Sequence, residues 1–142
     1  MDRAALDVAL ELGLACGGWC PRGRLAEDGA IPAHYPLRET SSRRYEDRTE
    51  QNVIDSDATL IVAKGPLSGG TALTAKLAER HAKPLRIADL AGEIDVEALH
   101  AWLEAEKVAV LNVAGPRESG VPGICAEATD FLRRLLAVWK KA

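Results

Sequence analysis

Asp57-Ala-Thr-Leu-Ile-Val-Ala-Lys-Gly-Pro-Leu-Ser-Gly-Gly-Thr71 is the stretch on which the fold turns. An apolar run from Ala58 to Ala63 stops at a loop holding Gly65, Pro66, Ser68, Gly69 and Gly70. A helical pattern begins at Thr71, with Leu73, Leu77 and Ala78 on one face and Ala82 extending it. The order is strand, glycine-rich turn, helix. Such a turn leaves backbone N–H groups free at a helix N-terminus, where the macrodipole favours an anion. Two readings stand side by side: a phosphate or oxyanion site, or an ordinary βα turn whose glycines only supply positive φ. The candidate anion-binding residues in this loop are Lys64, Gly65, Ser68, Gly69, Gly70 and Thr71.

Working outward, the chain alternates helix and strand throughout. Asp2 to Gly13 reads as a helix, with Leu6, Ala9 and Leu10 in a 3.6 period and Gly13 as its stop. Leu14 to Trp19 reads as a short strand. An irregular stretch follows from Cys20 to Arg44, with Pro21, Pro32 and Pro36. Asp47 to Asp55 suggests a helix. Pro84 to Ala88 reads as a third strand and Val108 to Val113 as a fourth. Asp95 should cap a helix whose inner face carries Val96, Leu99, Trp102 and Leu103. The last helix, Ile124 to Lys140, buries Ile124, Ala128, Phe131, Leu132, Leu135 and Trp139. Glu127 and Asp130 early and Lys140 and Lys141 late suit its dipole.

Strands without polar alternation are buried on both faces, which implies a parallel sheet between helical layers. The expected fold is α/β, Rossmann-like, a three-layer αβα sandwich with a mostly parallel sheet. Residues 1–142 would form one domain. Ligands of such folds bind at the C-terminal rim of the strands. The loops after Trp19, Ala63 and Val113 would all open there. They add Arg22 and Gly23, and Gly115 and Arg117, to the candidate set. Six of the twelve arginines lie between positions 22 and 48, a window without lysine. Guanidinium forks suit planar oxyanions, yet Glu27, Asp28, Glu39, Glu46 and Asp47 nearly balance that charge. Arg24 and Arg38 read as solvated, and Arg22, just past a strand end, as part of the site. Asn112 is polar in an apolar strand; it either orders the neighbouring loop or reads a ligand.

Composition narrows the function. Charged residues make up 27%, hydrophobic residues 47%, and the formal charge is −3, so nucleic-acid binding and membrane surfaces are not indicated. One Phe and two Tyr make no stacking platform for bases. No apolar run approaches a membrane span, and no signal peptide is read at Met1, which points to the cytoplasm. Cys16, Cys20 and Cys125 are an odd set without paired spacing, against disulfides and structural zinc. Cys16 and Cys125 read as structural thiols. His34, His81 and His100 stand apart, the last two on expected helix surfaces. Asp28 and Glu118 are rim carboxylates, but no catalytic constellation, Walker A loop or nucleophile elbow is present. No catalytic and no metal-ligating residues are assigned; the sequence favours binding over chemistry.

Several segments carry a family likeness: Asp2-Arg-Ala-Ala-Leu-Asp7, Gly18-Trp-Cys-Pro-Arg-Gly23, Ala26-Glu-Asp-Gly29, Arg48-Thr-Glu-Gln-Asn-Val53, Asp55-Ser-Asp57, Ser68-Gly-Gly-Thr71 and Leu111-Asn-Val-Ala-Gly-Pro-Arg117. In this order they resemble the "putative molybdenum carrier" family, a Rossmann-like branch shared with the "lonely guy" (lysine decarboxylase-like) nucleotide phosphoribohydrolases. The resemblance implies a cytoplasmic homo-oligomer, dimer or tetramer, that binds molybdenum cofactor (molybdopterin) or a related small anionic ligand. It also implies delivery to a molybdoenzyme recipient. The alternatives are a nucleotide-sensing module or a phosphoribohydrolase-like enzyme. In the hydrolases a Glu follows the Gly-Thr pair; here Thr74 takes that position, which argues against N-glycosidic cleavage.

One departure concerns the N-terminus. Family members begin with a strand and a Gly-Gly-Gln-Thr-Gly loop before Asp-Arg-Ala-Ala-Leu, and Met1 stands where they have Val or Ala. A GTG codon read as initiator methionine would explain this, with the strand encoded upstream. A genuine truncation would instead leave a gap in the sheet, a rearranged order, or a neighbouring chain in the vacant place.

Overall fold

The computed structural model describes residues 1–20, 25–26, 29–30, 37–39 and 44–141. Among the described residues five helices are formed: α1 (Asp2–Leu12), α2 (Tyr45–Ile54), α3 (Gly69–Arg80), α4 (Val96–Ala105) and α5 (Ile124–Lys141). The strands are β1 (Trp19–Cys20), β2 (Leu25–Ala26), β3 (Gly29–Ala30), β4 (Arg38–Glu39), β5 (Ala58–Ala63), β6 (Leu85–Asp89) and β7 (Leu111–Ala114). The main sheet has the order β6-β5-β7, all parallel, with Ile61 opposite Ile87 on one side and Ala114 on the other. Two small pairs accompany it, β1 with β4 in parallel and β2 with β3 antiparallel.

β5 is the centre of the molecule. All six of its residues are buried, as its unbroken apolar run requires of a strand covered on both faces. Ala58, Leu60 and Val62 pack with Phe131, Leu132 and Leu135 of α5, Leu99 and Leu103 of α4, and Val8 of α1. A smaller cluster joins Val53 of α2 to Leu77 and Ala78 of α3. Helices therefore cover both faces of a parallel sheet, and the fold is the expected Rossmann-like α/β sandwich. Each fully buried Leu, Ile, Val or Phe contributes about 1.5–3 kcal/mol of transfer free energy, so the α5 stripe is a principal source of stability.

The helix ends follow local chemistry. Gly13 adopts φ 73°, ψ 23° and closes α1 through N–H bonds to Ala9 and Leu10 carbonyls, the left-handed stop that glycine makes without strain. Asp95 accepts the Ala98 N–H at 3.0 Å and caps α4.

Three expectations are corrected. Leu14–Gly18 is not a strand; pairing begins at Trp19, and β1 pairs with β4 rather than joining the main sheet. The strand expected over 108–113 runs from Leu111 to Ala114. The Asp57 carboxylate takes the N–H groups of Ala109 (2.9 Å) and Val110 (2.8 Å), bending the chain before it can pair. α3 begins at Gly69, two residues before Thr71, and Ala82 lies beyond it at φ 53° rather than on its face.

Candidate functional site

Because β5, β6 and β7 are parallel, the loops that leave their C-terminal ends share one rim. Three helices start along that rim: α3 after β5, α4 after β6 and α5 after β7. Their first-turn N–H groups have no intrahelical acceptors. α4 is capped by Asp95. α5 is capped by Glu118, whose carboxylate accepts from the N–H groups of Gly123 (2.5 Å) and Cys125 (3.2 Å). α3 differs: Ser68 is its N-cap residue, in extended conformation, and makes no side-chain cap. Ser68, Gly69 and Gly70 are all exposed. The rim thus carries two helix starts neutralised by carboxylates and one without a side-chain cap.

Geometry explains the glycines of this loop in part. Gly65 has φ +80° and Gly69 φ +53°, values that side-chain-bearing residues seldom adopt. At Gly65, Gly69 and Gly70 a Cβ would meet nothing within 4 Å. Their smallness is therefore not demanded by packing, and the surface over the first turn of α3 is open to close approach. Thr71 is nearly buried, 7% exposed. Thr74 is buried and its Oγ1 donates to the Gly70 carbonyl at 2.9 Å. It is tied into the helix.

Side chains and strand ends bind the loops together. Lys64 Nζ lies 3.1 Å from both carboxylate oxygens of Glu127 in the first turn of α5. Asp89, the last residue of β6, accepts the N–H groups of Ala91 (2.9 Å) and Gly65 (3.2 Å). Those two bonds, the Ala91 one first, hold its carboxyl below the ordinary range. Asp89 was not singled out from sequence, and Glu127 only as an early carboxylate that suits the dipole of the last helix. Acidic residues early in a helix or at a strand end are common, and only the tertiary structure sets them against Lys64 and Gly65.

The second loop is organised for packing and capping. A Cβ on Gly115 would lie 2.2 Å from the Val62 carbonyl oxygen and 2.8 Å from Met1 Cε. Glycine is required there by close approach. The Arg117 carbonyl accepts from Gly120 (3.0 Å) and Val121 (3.2 Å), and the exposed Arg117 side chain stands on the same rim. Asn112 donates through Nδ2 to Thr59 Oγ1 at 3.3 Å, a bond between β7 and β5 that ties two strands together. Arg22 and Gly23 lie outside the described residues, as do Arg24, Asp28 and His34.

Cys16, expected in a strand, is a half-buried free thiol in the connection after α1, and burial pushes its pKa up. Cys125, the second residue of α5, is a half-buried free thiol as well. His81 closes α3, with Nε2 3.4 Å from Glu50. His100 is half-buried, with its Nε2 shielded from solvent and 3.5 Å from Glu104 Oε1. Among the described residues no group of three or more His, Cys, Asp or Glu side chains could hold a metal ion. None of their helices is long and apolar enough to cross a membrane.

Comparison with known proteins adds the family. The model of the circularly permuted YpsA SLOG family matches residues 1–136. Among solved structures, the chain is similar to a crystal structure named "Putative molybdenum carrier protein" from Syntrophus aciditrophicus SB. Identity is 43%, the match covers 97% of this chain and 87% of that one, and the TM-score is 0.86. No curated protein matches. With the family model spanning nearly its whole length, the chain belongs to the circularly permuted YpsA SLOG family.

Proposed function

We propose that the protein is a carrier that binds molybdenum cofactor, or a related phosphate or oxyanion ligand, at the C-terminal rim of its parallel sheet. The observation that carries the reading is 43% identity over 97% of the chain to a protein named as a molybdenum carrier. The helix starts support this position for the ligand. The first turn of α3 offers backbone N–H groups on an exposed surface without a side-chain cap, a ready anion site. The cofactor presents a phosphate and a metal oxyanion, and Gly69, Gly70 and Thr71 would hold either through N–H donors. Arg117 on the adjoining loop would supply charge. Lys64 would contribute only by loosening its pair with Glu127. The carrier would work in the cytoplasm as a dimer or tetramer and hand its ligand to a molybdoenzyme.

Mass spectrometry of ligand retained by gently purified protein tests the ligand. A molybdenum-bearing pterin supports the carrier; a retained nucleotide, or turnover of nucleoside monophosphates, overturns it. Calorimetric titration with molybdate, phosphate and a nucleoside monophosphate tests the position. Gly70→Val projects into open space in the folded chain, so the fold should survive while anion binding is lost. Unchanged affinity for every anion the parent binds would remove the ligand from α3.

A further inference from the structure

Two carboxylates from distant parts of the chain hold the stem of the Gly65–Gly70 loop. Asp89, at the end of β6, accepts the Gly65 N–H at 3.2 Å. Glu127, in the first turn of α5, sets both its oxygens 3.1 Å from Lys64 Nζ. The contacts differ in kind. Asp89 is committed, because the oxygen that takes the Gly65 N–H also takes the Ala91 N–H at 2.9 Å, and both donors are backbone. Lys64 and Glu127 meet only through their side chains, which are 41% and 47% exposed. A pair so open to water is worth little, so little holds it against a competing anion. Nor does Glu127 depend on Lys64. The N-terminal field of α5 already favours its charge, and Glu118 already caps that helix. Capping and stability therefore leave the Lys64–Glu127 pair unexplained.

We propose that Glu127 is an internal competitor for Lys64: it holds the ammonium when no anion is bound, yields it to an anion at the start of α3, and takes it back when the ligand is handed on. This competition presupposes the anion site proposed above and adds its regulation. Lys64 heads the loop that ends at Ser68, the N-cap residue of α3. Its backbone is anchored on one side by Ala63, buried at the end of β5, and on the other by the Gly65–Asp89 bond. Rotation of its flexible stem is then the movement that passes the ammonium from α5 to α3. An anion there offers it a partner of at least equal charge, while Glu127 keeps the field of the α5 N-terminus. One ion pair is exchanged for another rather than gained. The ligand is held less tightly than Lys64 alone would hold it, which suits a carrier that must also release.

A double-mutant cycle reads the competition. The full chain, Glu127→Gln, Lys64→Gln and the double variant are titrated calorimetrically at low ionic strength with molybdate and, separately, with inorganic phosphate. Both side chains are exposed, so the fold should persist, and circular dichroism checks it. Glu127→Ala repeats the removal without an amide that could still accept from Lys64. Either change at Glu127 should tighten anion binding by about two- to fivefold, the scale on which exposed ion pairs count. That gain should vanish in the Lys64→Gln chain. Simple repulsion between Glu127 and the anion predicts the reverse, a gain that is equal or larger once Lys64 no longer screens the carboxylate. Such a gain, or none in the chain that keeps Lys64, overturns the competition and leaves the anion site standing. A parent chain that binds neither anion removes the site itself, and the competition with it.

Discussion

Gly115→Ala is a sharp test of how the rim is built. The added Cβ would sit 2.2 Å from the backbone oxygen of Val62, 2.8 Å from Met1 Cε and 3.0 Å from Met1 Cγ. Met1 is a flexible side chain and can rotate aside. Val62 cannot: it is fully buried in β5, which is paired on both sides. Either β7 retreats from β5 or the loop after it rebuilds. Forcing atoms into a packed site costs about 1–3 kcal/mol, and a clash with central backbone belongs at the upper end. For a domain of this size each kcal/mol lowers the melting midpoint by roughly 3–4 °C. A fall on the order of 10 °C follows. Gly70→Ala is the control. It adds the same methyl on the same rim, meets nothing within 4 Å, and lies in the first turn of α3. It should leave stability unchanged or raise it by up to about 1 kcal/mol, because alanine loses less backbone freedom on folding. Urea titration of both variants, followed by helical circular dichroism, gives the two differences. If Gly115→Ala stayed within about 0.5 kcal/mol of the parent, the close approach of the β7 loop to β5 would be wrong.

Other expectations follow from the carboxylates. The Asp57 carboxyl is held below its ordinary range by the N–H groups of Val110 and Ala109, with a smaller contribution from Lys83. A folded pKa below the unfolded one gives stability that is present above the ordinary carboxylate range and is lost as pH falls through the lowered value. Asp57→Asn should thus melt earlier than the parent at neutral pH, and the gap should close in acid. A gap that widens as pH falls would reverse the sign. Glu118→Ala removes the cap of α5 and should cost about 0.5–2 kcal/mol, the usual worth of a capping side chain; an unchanged urea midpoint would show that the carboxylate is dispensable. Phe131→Ala empties a fully buried position in the main cluster and should cost about 3–5 kcal/mol, read from the same titration.

The sequence by itself determined the α/β class, the order of helices and strands, the β5–loop–α3 unit and the family likeness. These are local matters: an unbroken apolar run, a glycine-rich turn and a 3.6-residue period each constrain their own segment. Gly13 and Asp95 were legible for the same reason, since a left-handed stop and a side-chain cap are made within a few residues. Tertiary structure decided what depends on partners distant in the chain. Val108-Ala-Val110 reads as strand, but Asp57, some fifty residues away, takes two of its N–H groups and delays the pairing. Leu14–Gly18 reads as strand, but it has no place in the main sheet. Glu118 reads as a rim carboxylate without a partner to name, and in the structure it caps α5; Lys64 reads as a cation for a ligand and in the structure faces Glu127. Gly115 reads as a candidate ligand-loop glycine, yet the Val62 carbonyl is what requires a glycine there. A residue's propensity is written in its neighbours along the chain, whereas its hydrogen-bond and packing partners exist only once the sheet has brought separate segments together.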